Sequence, residues 1–227
     1  MKARLIAVLL MACSAAAYAV GPRDVISRPL YTEALREQLD SDQQVPNSAI
    51  LLFGDSIIHN IPNAKEIDQL AVNYGIVGDT TAGIAHRVPL YTSRGQAAVI
   101  VLEGGVNNLG FGTEYDSESS ADVRTTLTSI SPRVHVVAVG AFPVDESTPK
   151  ARAGWNGRIL RMNEEVKRVC ETFANCTFVD IGKMLMGPDG NLACAYHPQG
   201  DGIHLTSRAY GKVIVPELKR AVRNAQR

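Results

Sequence analysis

Ile50-Leu51-Leu52-Phe53-Gly54-Asp55-Ser56-Ile57 decides how this chain is read. A short apolar run stops abruptly at Gly-Asp-Ser. A strand buried on both faces has this unbroken apolar pattern. A tight turn directly after it puts the serine hydroxyl at the carboxyl edge of a sheet, where open α/β folds hold their ligands. Such a serine is a candidate nucleophile only if the chain also supplies a base, an acid to orient the base, and donors for an oxyanion.

Working outward, apolar β-rich runs recur at 49–53, 71–76, 97–102, 134–139 and 177–179. Helical spacing marks 30–39, 117–130 and 159–173, and a closing helix over 207–223 is interrupted by Pro216. Continuous apolar strands alternating with helices predict a parallel sheet covered on both faces. The expected fold class is α/β: a three-layer α/β/α sandwich, a flavodoxin-like parallel sheet of about five strands. The length of 227 residues fits one domain, expected over 20–227.

The first 19 residues are expected to be a cleaved signal peptide. Lys2 and Arg4 precede an apolar run that is short for a membrane span, and Ala17-Tyr18-Ala19 is a small-x-small cleavage site. Leu10-Met11-Ala12-Cys13 allows a lipoprotein variant, ranked second. The predicted location is therefore secreted or periplasmic, and the source a bacterium. The 23 basic and 23 acidic residues cancel; cleavage leaves 21 against 23, a net charge of −2. This balance argues against nucleic acid or an anionic membrane as partner. Export implies an oxidising compartment. Cys170 and Cys176 flank a helix-to-strand turn and could pair, leaving Cys194 free. Pairing of Cys194 with either of them is the rival. The cysteine spacings show no zinc pattern, and no histidine or carboxylate cluster has metal-site spacing, so no metal or cofactor is expected.

Three glycine-bearing turns follow three expected strands: Gly54-Asp55-Ser56, Gly78-Asp79-Thr80, and Glu103-Gly104-Gly105-Val106-Asn107-Asn108. In a parallel sheet all three gather at one edge. Asp201-Gly202-Ile203-His204 lies in a loop before the last helix. Each motif alone has a plain structural reading: a capped turn, a positive φ, a turn asparagine, a solvated histidine. The four in this order after these elements are far more specific.

Together they resemble the SGNH hydrolases, also called GDSL esterases/lipases, over roughly residue 50 to the C-terminus. Ile57 stands where leucine is typical, and Asn108 where the family commonly has aspartate. The resemblance implies Ser56 as nucleophile, His204 as base and Asp201 as its orienting acid. It also implies an oxyanion hole made by the backbone N–H groups of Ser56 and Gly78 and the side-chain amide of Asn107. Asp55 is expected to tie its turn together and Asn108 to brace the third turn. His135 is expected to be structural, and His204 is preferred to His197 as base. His59 and His86 follow the turns and are weaker candidates for substrate contact. Trp155 is either a core anchor or a rim residue.

No Gly-x-Ser-x-Gly elbow, Walker A lysine or dinucleotide fingerprint is present. The expected function is a serine ester hydrolase that cleaves short-acyl esters, chiefly acetyl, through an acyl-enzyme. Its partner would be a small-molecule or carbohydrate ester. The look of 73–87 and 105–108 is closest to the branch holding the platelet-activating-factor acetylhydrolase catalytic subunits. Lysophospholipase, thioesterase or acyltransferase activity is the runner-up. A non-catalytic carbohydrate-binding module is the rival of another class, and it has no need of a serine and base together.

Overall fold

In the structure, a computed structural model, residues 21–227 are described, apart from Arg152 and the side chain of Glu114. The expected signal segment and Cys13 lie outside the described residues. Five parallel strands form one sheet: β1 (Ile50–Gly54), β2 (Ala71–Gly75), β3 (Val99–Glu103), β4 (His135–Val139) and β5 (Cys176–Val179), in the order β2-β1-β3-β4-β5. This is the flavodoxin order. Every residue of β1 is buried, because β2 and β3 flank it and helices cover both faces.

Alternation along the strands sorts the core into two layers. Ile50 and Leu52 face one side with Val99, Val101, Val137 and Val139. There they meet Ile214, Leu218 and Val222 of the closing helical segment. Leu51 and Phe53 face the other side with Ile100, Leu102 and Val136, against Val88, Leu127 and Val169. The helices are α1 (Pro29–Asp42), α2 (Ser56–His59), α3 (Thr81–Arg87), α4 (Glu118–Ser129), α5 (Trp155–Cys170), α6 (Ser207–Ala209) and α7 (Val215–Ala225). Among the described residues, no helix is long and apolar enough to cross a membrane.

Two helices, α2 and α3, lie in stretches where periodicity predicts none; at four and seven residues they are too short to show a period. The closing helix differs too. A π-helical turn, Tyr210–Ile214, separates α6 from α7, and Pro216 stands in the first turn of α7. Proline has no N–H to return to the preceding turn, so the ladder widens just before it. Helix α5 starts at Trp155, four residues ahead of its first expected residue. Cys170 and Cys176 form the disulfide between α5 and β5, and Cys194 is free and exposed.

Candidate active site

β1 delivers Ser56 to the carboxyl edge of the sheet. Asp55 caps α2: its Oδ1 accepts the Ile57 N–H at 2.8 Å. Ser56 is therefore the first helical residue, where backbone N–H groups have no intrahelical partner. Ile57 and Ile58 bury their side chains behind it. Two distant groups hold the turn. The Tyr210 hydroxyl donates to Ile57 O at 2.8 Å, and Asn73 Nδ2 donates to Ile58 O at 2.8 Å. A Cβ on Gly75 would stand 2.2 Å from His59 N, so β2 and α2 pack backbone against backbone only because residue 75 is glycine.

The second turn presents Gly78 at φ +75°, with only Arg28 Nη1, at 4.0 Å, near where a Cβ would be. Among the described residues its N–H donates to no protein group. The third turn places Asn107 beside it. Asn107 Nδ2 donates to Asp79 O at 2.8 Å and to Asp55 Oδ2 at 3.2 Å, so this amide bridges all three turns. Asn108 braces the third turn as expected: it is buried, its Nδ2 reaches Thr81 Oγ1 and Ser119 Oγ, and its Oδ1 accepts Thr81 N–H.

The last loop brings Asp201 to His204. Asp201 Oδ1 accepts the Ile203 and His204 N–H groups at 3.0 and 2.7 Å, and both carboxylate oxygens lie 3.1 Å from His204 Nδ1. Lys150 Nζ also contacts Asp201 Oδ2. Partial burial pushes the Asp201 carboxyl up, but the donors from Lys150, His204 and Ile203 outweigh it and hold the group well below the usual carboxylate range. An ionised carboxylate only accepts, so Nδ1 carries a proton and the Nε2 of a neutral ring is a basic lone pair. The His204 side chain is 39% exposed. Among the described residues no hydrogen bond joins Ser56 Oγ to His204. Such bonds are often long in a site without substrate.

Two buried charged residues in this region carry no sequence signal. Glu103 closes β3 beneath the serine turn; it is 2% exposed, and among the described residues neither carboxyl oxygen meets a conventional donor. Its neighbour is the wholly buried Asp55. Burial, with Asp79 adding repulsion, pushes the Asp55 carboxyl up to about 7. Burial and the Asp55 charge push Glu103 well above its usual range. The two share a proton, and Glu103 holds it. Asp55 is thus scaffolding, as expected, and it also receives the Asn107 amide. Arg87 is the second such residue. Its Nε donates to Asp79 Oδ2 at 2.8 Å and its Nη2 to Gly54 O at 3.1 Å, which ties the end of β1 to the second turn.

The remaining candidates separate clearly. His197 is buried and faces Asp145, not Asp201. His135 bonds Thr177 across two strands, and His59 reaches Gly75 O at 3.3 Å. His86 is exposed on α3. Trp155 is a core anchor, packed with Val106, Leu109, Ile159 and Met162.

Known proteins share this fold. The model of the GDSL-like Lipase/Acylhydrolase family matches residues 52–212. The chain is 25% identical over 182 residues to platelet-activating factor acetylhydrolase IB subunit alpha2 of Gallus gallus, covering 78% of this chain and 77% of that protein. Its fold is similar to that of a GDSL-like lipase from Bacteroides thetaiotaomicron VPI-5482, with a TM-score of 0.71, 15% identity, and 84% and 98% of the two chains covered. It is also similar to an acetylxylan esterase from Geobacillus stearothermophilus, solved as a catalytic mutant, with a TM-score of 0.58, 16% identity, and 77% and 94% covered. The family match starts inside β1, ends in the π-helical turn, and takes in all three turns and the Asp201–His204 loop, so the chain belongs to the GDSL-like lipase/acylhydrolase family and is a carboxylic ester hydrolase.

Proposed function

We propose that the protein is an exported serine esterase that removes short acyl groups, chiefly acetyl, from small-molecule or carbohydrate esters through an acyl-enzyme. The observation that carries the mechanism is the Asp201–His204 pair in one loop, with Nδ1 engaged and Nε2 open. His204 Nε2 takes the Ser56 proton as Oγ attacks the ester carbonyl, and Asp201 stabilises the imidazolium that forms. The Ser56 and Gly78 N–H groups and the Asn107 amide receive the oxyanion. Asn107 shifts its longer bond, at 3.2 Å to Asp55, toward the incoming charge. The imidazolium then protonates the departing alcohol, and water activated by the same histidine releases the acid. A sugar hydroxyl in place of water would make the same site a transferase.

The acetyl preference is supported by relatives whose names include acetylhydrolase and acetylxylan esterase. Export is supported by the basic and apolar start of the sequence and its small-x-small site. The test is hydrolysis of p-nitrophenyl esters of increasing chain length by wild type and Ser56→Ala. The expected result is a preference for acetate over octanoate and a loss of at least about 10⁴-fold in Ser56→Ala. Equal rates for the two proteins would rule out the serine mechanism. A preference for long chains would rule out the acetyl assignment alone. Acetate release from acetylated xylan then tests the carbohydrate class.

A further inference from the structure

Asp145, in the loop that follows β4, meets Cys194 and His197 from the turn ahead of Asp201. One ligand atom from each lies within 4.8 Å of the others. His197 is 7% exposed and Asp145 6% exposed, while Cys194 opens to solvent. His197 Nδ1 lies 2.9 Å from Pro198 O. A carbonyl oxygen only accepts, so Nδ1 carries the proton. In a neutral ring Nε2 is then a buried lone pair aimed into the cluster. Among the described residues it makes no hydrogen bond, and Asp145 Oδ2 lies 3.1 Å away but out of alignment for one. The other Asp145 oxygen, Oδ1, accepts the Ser147 N–H and hydroxyl, which orients the carboxylate and leaves Oδ2 turned to His197.

We propose that Asp145 Oδ2, His197 Nε2 and Cys194 Sγ form a site for a divalent transition metal ion such as Zn²⁺, with the fourth position open to water. Nitrogen, thiolate and carboxylate ligands suit Zn²⁺, whose bonds to them run to roughly 2.0–2.3 Å. A ligating histidine typically donates its other ring N–H to a backbone carbonyl, as His197 does to Pro198. Binding displaces the Cys194 thiol proton to solvent and makes or breaks no other covalent bond. A small inward rotation of exposed Cys194 completes the shell. The spacing of the cysteines along the chain shows no zinc pattern because the carboxylate comes from a distant loop. The site adjoins the catalytic loop: Asp145 N–H donates to Gly202 O at 2.7 Å, and Thr148 Oγ1 to Asp201 O at 3.2 Å. A bound ion would therefore clamp the segment that carries Asp201 and His204.

The test is titration of the EDTA-treated protein with Co²⁺, followed by its thiolate-to-metal charge-transfer absorption, and thermal melting with Zn²⁺. Expected are one ion per chain, a charge-transfer band and a raised Tm. Both signals should weaken at least tenfold in Cys194→Ser, an exposed position that leaves the fold alone, and in His197→Gln. Both should persist in His204→Ala, which separates this site from the catalytic histidine. Absence of the band, or Zn²⁺ binding unchanged in Cys194→Ser, would overturn the proposal. So would NMR spectra that keep two ring N–H protons on His197 in excess Zn²⁺, since a proton would then hold the Asp145 pair together.

Discussion

Glu103 and Asp55 set a condition on the serine turn. Two carboxyl groups share a dry space behind Ser56, and only one of them can be charged at modest cost. Glu103→Gln keeps the shape and a donor for Asp55. We predict a folded, active protein from it, whereas Glu103→Ala should lose about 1–3 kcal/mol in urea unfolding. The pair also fixes a sign. The Asp55–Glu103 pair keeps its shared proton in the fold up to about pH 7, well above the range in which either carboxyl loses it in the unfolded chain. The native state therefore binds more protons than the unfolded chain across that window, and this contribution to stability declines as pH rises from about 4 to 7. In Glu103→Gln the decline should be shallower, measured as unfolding free energy at pH 5 and pH 7; an unchanged slope would refute the shared proton. Asn107 is the second residue to probe. Asn107→Ala removes the bridge between turns and one oxyanion donor, so kcat should fall about 10²–10³-fold. A fall in KM alone would assign it a different role.

Among the elements, β2 and α2 pack so closely at Gly75 that its missing Cβ would meet backbone rather than side chain. Gly75→Ala drives a methyl into the His59 backbone, where nothing flexible can yield. We expect a loss of about 1–3 kcal/mol and a displaced Ser56, read as lower Tm together with lower kcat. Gly78→Ala meets no close neighbour and only the left-handed backbone, for about 1–2 kcal/mol. The five strands were legible because each is a short apolar run bounded by turn residues, and their alternation specifies two faces. Three of the site motifs were legible for a related reason: each is a glycine-bearing turn at the end of such a run. Glu103 was not, because it looks like the opening residue of the third turn and its partner lies on the neighbouring strand. Arg87 was not, because a seven-residue helix shows no period that would bury one face. His197 beside Asp145 was invisible too, since proximity across loops leaves no trace in spacing.

At the scale of the whole molecule, chemistry and covalent cross-linking sit at opposite ends. The Cys170–Cys176 bridge joins the end of α5 to the start of β5, while the site occupies the carboxyl ends of β1, β2 and β3. Closing so short a loop is worth about 2 kcal/mol by chain entropy. The Cys170→Ala/Cys176→Ala double variant should melt roughly 4–8 °C lower with kcat and KM unchanged, by calorimetry and steady-state kinetics. A change in kcat would mean that strain reaches the site through the sheet.

The Tyr210 hydroxyl grips Ile57 O across 153 positions of chain, and His204 comes only six residues before that tyrosine. The nucleophile is made first in synthesis, and its base and its anchor follow only after most of the sheet. An emerging chain therefore carries an inert serine until His204 and Tyr210 have followed it. The order of synthesis itself acts as a safety catch, keeping the esterase silent while it is still being made.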